Sequence, residues 1–274
     1  MSKDKSVLVC GIGEVASATA RRLFIEGYAV AMHHPPPPRL LRRRMCFVDA
    51  WFDARAQLDG VEARRADVAS EFLLGLQTRK FIPLLRTGLA DVLERWPWDI
   101  IVAAREQGSA PPMSLRNLCE LSIGMGEGYV AGEDCDLVVE TEGLDPGAIL
   151  RKGDRRRARR PGASTGASHH REVLAPRPGL FHACVSIGET VTAGEMLGAV
   201  NDFPVVAEVA GRVKGIARNE QAVRQGAAIV EIALSRNARV AGISEHCQLI
   251  SRGVAFVVEE EAEGWEPFSL ENWL

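Results

Sequence analysis

The chain has no long apolar run. A helix that crosses a membrane needs about 20 consecutive apolar residues, and no such run occurs in the 274 residues. The first residues lead directly into a strand pattern, without the apolar core and small-residue cleavage site of a secretory leader. These absences predict a cytoplasmic protein without a membrane partner.

An excess of charge of one sign and closely spaced cysteines are also lacking. The chain has 33 basic and 36 acidic residues and a formal net charge of −3, so composition gives no reason to expect a nucleic-acid partner. The 6 cysteines are scattered and form no Cys-x-x-Cys pair, which argues against a zinc site or a disulfide framework. Because no Ser-His-Asp, His-Glu-x-x-His or Walker motif occurs, neither a hydrolase nor a kinase mechanism is expected, and we predict no metal site.

Strand and helix patterns alternate in the first part of the chain. Residues 6–11 are an apolar run that ends at a glycine, and residues 15–27 carry apolar side chains at helical spacing. Residues 84–96 repeat the helical spacing, and residues 98–105 form another apolar run. Such alternation is typical of a parallel sheet covered by helices. We therefore predict a Rossmann-like domain over residues 1–150.

The character of the chain changes after this domain. Residues 151–172 hold many arginines and then small residues, which predicts a basic flexible linker. Residues 173–235 alternate with a period of two between glycine turns, and an internal echo within them predicts a β sandwich of two interlocked halves. Residues 236–274 combine a helical pattern with an acidic, aromatic tail. The predicted fold class is thus α/β, a Rossmann-like sheet followed by a mostly β domain and a C-terminal helix.

The first glycine turn has the spacing of a phosphate-binding loop. Gly11 allows a tight turn, Gly13 lets a phosphate approach the backbone, and Ala16 allows close packing of the helix. Glu14 lies at the start of that helix, whose free amide groups favour an anion. Two interpretations stay open, namely a turn that binds a nucleotide or another anion and a turn that is only structural.

The end of the second predicted strand lacks the acid that binds the ribose of NAD. His33 and His34 occupy that position, and prolines follow them at residues 35–38. Nearby arginines could instead bind the additional phosphate of NADP. The candidates are Arg39, Arg42, Arg43 and Arg44.

A second glycine-rich loop follows a later strand pattern. Gly124 and Gly126 lie in it and could face the first turn, because ligands of doubly wound sheets bind at the carboxyl ends of the strands. Cys135, a little further on, is a weak candidate for a reactive or sulfur-handling thiol. The alternative is a buried small residue at the start of a strand.

Segments that span most of the chain, in order, resemble the accessory protein family of the selenium-dependent molybdenum hydroxylase system. The segments are residues 11–32, 42–63, 123–141, 179–200, 205–232 and 243–260. The resemblance implies a Rossmann-like domain joined to a barrel-sandwich domain like those of lipoyl and biotinyl carriers. The chain departs from the family at His33 and His34, where relatives carry an acid, and at Ala103, where an aspartate is common.

The resemblance also implies a function. We expect a maturation or accessory factor for a xanthine-dehydrogenase-like molybdenum hydroxylase, with the client enzyme or its maturation proteins as partners and a nucleotide or molybdenum cofactor at the glycine turn. Such a factor would be non-enzymatic. The alternatives are an NADP-dependent oxidoreductase and a scaffold that docks a client enzyme.

The β domain lacks the residue that carriers modify. The hairpin tip that would present a lysine falls at Phe203 or Pro204, and neither side chain has the amine that an amide link to biotin or lipoate requires. We therefore expect no covalent cofactor.

Overall fold

The computed structural model describes residue 3 and residues 5–105, 113–154 and 169–263. Most of the predicted linker and the tail beyond residue 263 lie outside the described residues. The α/β prediction is confirmed at the level of a large, mostly parallel sheet with helices, followed by antiparallel sheets. Among the described helices, none has both the length and the apolarity needed to cross a bilayer.

The first part of the chain forms a nine-stranded sheet. Its strands are β1 (Ser6–Cys10), β2 (Ala29–His33), β3 (Arg55–Leu58), β4 (Val61–Arg65), β5 (Ile82–Leu85), β6 (Ile100–Ala104), β7 (Leu121–Met125), β8 (Leu137–Val139) and β9 (Ile149–Leu150). The helices between them are α1 (Glu14–Ile25), α2 (Val48–Asp53), α3 (Ala69–Thr78) and α4 (Leu89–Arg95), with a 3₁₀ turn at Arg43–Met45.

The strands lie in the order β3-β4-β5-β2-β1-β6-β7-β8-β9. Neighbours from β4 to β8 run parallel, while β3 and β9 pair antiparallel at the two edges. The chain therefore winds outward from β1 in one direction through β2 and in the other through β6. In doubly wound sheets this reversal opens a crevice at the carboxyl ends of the two central strands, where ligands bind.

Helix α5 (Glu245–Glu263) returns from the far end of the chain to this first sheet. Its apolar stripe, which includes Ile250, Val254 and Val257, is fully buried in the same core as Val7 and Val9 of β1. The opposite face of β1 places Leu8 in a second core beneath α3 and α4. This alternation along β1 is what a strand buried on both faces requires.

The segment between residues 169 and 233 forms two four-stranded antiparallel sheets. Their strands are β10 (His170–Leu174), β11 (Gly179–Ala183), β12 (Thr190–Val191), β13 (Met196–Val200), β14 (Phe203–Val206), β15 (Gly211–Ile216), β16 (Gln221–Val223) and β17 (Ala228–Ala233). The orders are β10-β17-β15-β12 and β14-β13-β11-β16. Phe181, Leu197, Val213 and Ile229 are fully buried between the two sheets.

Residues 39–45, named here the connecting segment, contact both parts of the structure. Leu40 packs against the core of the first sheet, and Leu41 packs against the core of the antiparallel sheets. The Leu41 carbonyl accepts a hydrogen bond from the Ile216 amide at 2.9 Å. A Cβ at Gly215 would lie 2.8 Å from the Leu41 Cβ, so a glycine in β15 leaves the space that this segment fills.

Replacing Gly253 by alanine should destabilise the fold. Alanine favours a helix over glycine by about 1 kcal/mol, but the new Cβ would overlap the Gly147 carbonyl group, where α5 packs against the loop after β8. Overpacking of this kind costs about 1–3 kcal/mol, and the opposing atom is backbone, so the loss should exceed the gain. Urea unfolding of Gly253→Ala, with the exposed neighbour Arg252→Ala as control, measures the difference. A midpoint at or above that of the wild type would contradict this packing argument.

Candidate functional site

Gly11 lies at the point where the strand order reverses. It follows β1, and its φ of 127° belongs to the region that side chains disfavour. A Cβ there would lie 3.0 Å from the Ala104 carbonyl oxygen at the end of β6 and 3.1 Å from the Ala16 Cβ. The spacing of Gly11 and Ala16 therefore allows β1, β6 and α1 to approach closely, and this close packing places the turn at the carboxyl ends of β1 and β6.

Gly13 precedes α1 as its N-cap residue. Its backbone is extended (φ −66°, ψ −175°), it provides no side-chain cap, and its carbonyl accepts the first helical hydrogen bond from the Ser17 amide at 2.9 Å. The Ser17 hydroxyl donates to the Ile12 carbonyl at 2.9 Å and accepts from the Phe47 amide at 2.9 Å. The Ser17 hydroxyl thus links the turn to Phe47. The first backbone amides of α1 have the orientation found at helix starts that bind anions.

His33 ends β2 beside this turn, and His34 follows it. The His33 Nε2 lies 2.9 Å from the Thr87 carbonyl oxygen, so Nε2 carries the proton and donates. Burial lowers the pKa of His33; burial, with His33 nearby, lowers the pKa of His34 to about 4. Both rings are therefore neutral at pH 7, and neither replaces the carboxylate that would bind a ribose diol.

Two of the four arginines of the connecting segment, Arg42 and Arg43, are engaged by contacts within the protein. Arg42 donates from Nε and Nη2 to the two carboxylate oxygens of Glu231, at 2.7 Å each, and from Nη1 to Glu14 at 3.0 Å. Arg43 donates to Asp49 and to the Ile216 carbonyl. Arg39 and Arg44 are exposed.

The Glu231 contact was missed by the sequence analysis. Glu231 is 4% exposed and lies in the middle of the apolar strand β17, far along the chain from Arg42. An acid within a buried strand needs a buried cation or hydrogen-bond donors, so its position in that apolar run was the available signal. Its partner could not be inferred in the same way, because many arginines were candidates.

The second glycine loop reaches the same edge of the sheet. Gly126 (φ 98°) follows β7, and a Cβ there would lie 3.5 Å from the Arg105 carbonyl oxygen and 3.4 Å from the Thr141 hydroxyl. Gly124 is different, because it lies within β7, and a Cβ there would lie 2.7 Å from the Tyr129 Cβ. Gly124 thus provides space for a tyrosine side chain, whereas Gly126 lies at the edge where a ligand would bind.

Cys135 is fully buried, and burial raises the pKa of its thiol to about 11. A nucleophilic cysteine needs a lowered pKa and access to solvent, so this environment does not support the predicted reactive thiol. Across the described residues, no group of three or more histidine, cysteine or acidic side chains could hold a metal ion.

The chain has detectable similarity to a few known proteins. No family model matches the chain. A curated relative, an uncharacterised Escherichia coli K12 protein named YqeB, is 28% identical over 260 residues, which cover 92% of this chain and 47% of that protein. The chain therefore spans about half the length of this relative.

Two solved structures from one family also show similarity. A succinylglutamate desuccinylase/aspartoacylase from Rhodobacter sphaeroides is 29% identical over 22% of this chain and 21% of that chain, with a TM-score of 0.21. An aspartoacylase family protein from Mesorhizobium loti is 13% identical over 85% of this chain and 86% of that chain, with a TM-score of 0.27.

These findings correct the functional prediction made from the sequence. The solved structures are described as succinylglutamate desuccinylase/aspartoacylase proteins, and neither they nor the curated relative are described as accessory proteins of a molybdenum hydroxylase. The predicted family and its maturation role are wrong, and the alternatives of an NADP-dependent oxidoreductase and a docking scaffold do not match either. The physical reason is that the resemblance consisted of short glycine turns and apolar runs, which unrelated proteins share.

Because the pKa values of His33 and His34 are lowered, we expect the protein to lose stability in acid. Unfolding raises the pKa of His34 from about 4 toward its ordinary value near 6.5, so the unfolded chain takes up the proton first. The contribution of the neutral ring is complete above pH 6.5 and is lost as the pH falls toward 4. His34→Gln should therefore show a smaller decrease of the urea midpoint between pH 7 and pH 4.5 than the wild type, and the exposed histidine variant His246→Gln should behave like the wild type. Identical pH profiles for the wild type and His34→Gln would refute this role.

Proposed function

We propose that the chain binds a nucleotide or a similar phosphate-containing small molecule in the crevice between β1 and β6. The phosphate would lie at the start of α1, over Gly11 and Gly13. The observation that carries the proposal is the reversal of strand order at the glycine turn. A glycine turn alone is a weak signal, but a turn at the switch point of a doubly wound sheet is where such folds bind phosphates.

The chemistry of the crevice limits the ligand. Neutral His33 and His34 replace the acid that selects a ribose diol, and Arg42 and Arg43 are engaged by carboxylates of the protein. Recognition would therefore depend on the backbone amides at the start of α1 and less on side chains that are specific for NAD or NADP.

The proposal is tested by replacing Gly13 with valine. A valine side chain at the N-cap would fill the path of the phosphate, and the extended backbone at residue 13 suits any residue. Because Gly13 is buried, urea unfolding of the variant first checks that the fold persists. Loss of hydrogen bonds to a charged phosphate predicts at least about tenfold weaker binding. Calorimetry with ADP and inorganic pyrophosphate measures this.

The control for this experiment is Gly60→Ala. Gly60 has a φ of 84° and lies in the turn between β3 and β4. This turn is at the amino end of β4, away from the carboxyl ends of the parallel strands, and no atom lies within 4 Å of an added Cβ. Alanine there strains the backbone without approaching the crevice. Binding should survive this loss of stability. Equal heats for the wild type and Gly13→Val would leave the turn with a structural role only.

We further propose that residues 169–233 form a barrel-sandwich module without a covalent cofactor. Two four-stranded sheets, each built from both halves of the segment, support this assignment. The hairpin between β13 and β14 turns at Asn201 and Asp202, with Phe203 and Pro204 starting β14, and none of these four residues has an amine.

The intact mass of the chain tests the absence of a covalent group. Protein purified from its native host should have the mass of the bare polypeptide, because an amide link to biotin or lipoate requires a lysine at the hairpin tip. The same protein digested with trypsin provides the site of any addition. An added mass of a biotinyl or lipoyl group on the module would overturn the assignment.

A further inference from the structure

One guanidinium joins the glycine turn to the antiparallel sheets. Arg42 donates at 3.0 Å to Glu14, the first residue of α1, and at 2.7 Å to both carboxylate oxygens of Glu231 in β17. Its side chain is 30% exposed, while that of Glu231 is 6% exposed. The cation that could assist a phosphate at the turn is therefore held mainly by a buried carboxylate of another part of the chain.

The charges of this triad do not balance. Glu14 and Glu231 contribute two negative charges, and Arg42 contributes one positive charge. His170 lies beyond this triad, with its Nδ1 3.7 Å from a Glu231 oxygen. The formal charge of the three groups is therefore −1, directly beside the helix start that would bind an anion.

Glu14 and a bound anion would both interact with the positive end of the helix dipole of α1. A carboxylate in the first turn of a helix is stabilised by the positive end of the helix dipole. The same end would attract the phosphate of a ligand, so each additional negative charge on that phosphate is opposed by Glu14. Arg42 offsets only part of this opposition, because its bidentate contact is directed to Glu231.

On the proposed function, we infer that this triad selects ligands by the charge of their phosphate. The site would prefer a diphosphate diester, in which each phosphate carries one negative charge, over a terminal phosphate, which carries almost two at pH 8. Glu231 acts as a positioning residue, because its contact with Arg42 determines how close the guanidinium lies to the turn.

The inference is tested with two ligands that share a base and a diphosphate. Diadenosine diphosphate is a diester, and ADP has a terminal phosphate. Calorimetry at pH 8 and constant ionic strength should show tighter binding of the diester by the wild type. In Glu231→Gln, the ratio of the ADP affinity to the diester affinity should be about fivefold higher than in the wild type. This factor lies at the lower end of the couplings measured between protein sites.

Two further variants complete the test. Glu14→Gln should raise the affinity for ADP relative to the diester, as Glu231→Gln does. Arg42→Met should weaken the binding of ADP more than the binding of the diester. The matched control is Glu62→Gln, because Glu62 also receives two donors from one arginine, Arg64, at 2.8 and 3.1 Å, but lies in β4 near the edge of the sheet. Its selectivity should equal that of the wild type.

Each outcome decides between the two proposals. If the wild type binds both ligands and Glu231→Gln has the same selectivity, the inference is overturned and the proposed function stands. If neither the wild type nor Glu231→Gln binds either ligand, both are overturned. Urea unfolding separates a structural role, since a variant that only loses stability would not gain affinity for ADP.

Discussion

The structure depends on the bidentate ion pair between Arg42 and Glu231. A carboxylate buried in an apolar strand is costly, and removing its partner from such a pair typically destabilises a protein by about 3–5 kcal/mol. Glu231 therefore requires the Arg42 guanidinium at one place, and this requirement positions the connecting segment against β15 and β17. Leu40 and Leu41, which pack into different cores, extend that single contact into an apolar contact between the two parts of the chain.

This arrangement explains the character of the candidate site. The segment that follows β2 provides the residues that recognise the ribose in many dinucleotide-binding sheets. Here the same segment contacts the antiparallel sheets, and His33 is buried against the Thr87 carbonyl. The glycine turn and the start of α1 lie at the carboxyl ends of β1 and β6 without the side chains that would identify an NAD-type ligand. On the proposed function, the backbone amides there would recognise a phosphate.

Much of the first sheet could be predicted from local patterns, and the failures have identifiable causes. The expected strand at residues 6–11 and the helix after it are β1 and α1. The helical spacing over residues 84–96 was only partly right, because Leu85 ends β5 and the helix begins at Leu89. Thr87 and Gly88 interrupt that pattern, and a short apolar run cannot be assigned to a strand or a helix by spacing alone. At the candidate site, Gly11, Gly13 and Ala16 were found by their spacing, whereas the engagement of Arg42 and Arg43 was not.

The sequence by itself determined what depends on neighbours within a few residues. The φ of 127° at Gly11, the close packing at Ala16 and the glycine turns between short strands are local requirements of backbone sterics, so they are visible in the order of residues. Only the tertiary structure decided that β17 provides the partner of Arg42, that α5 packs against the first sheet, and that Gly253 faces Gly147. These contacts join segments that are distant in sequence, and the choice among many arginines, helices and glycines is made by the packing of the complete chain, because no local periodicity specifies it.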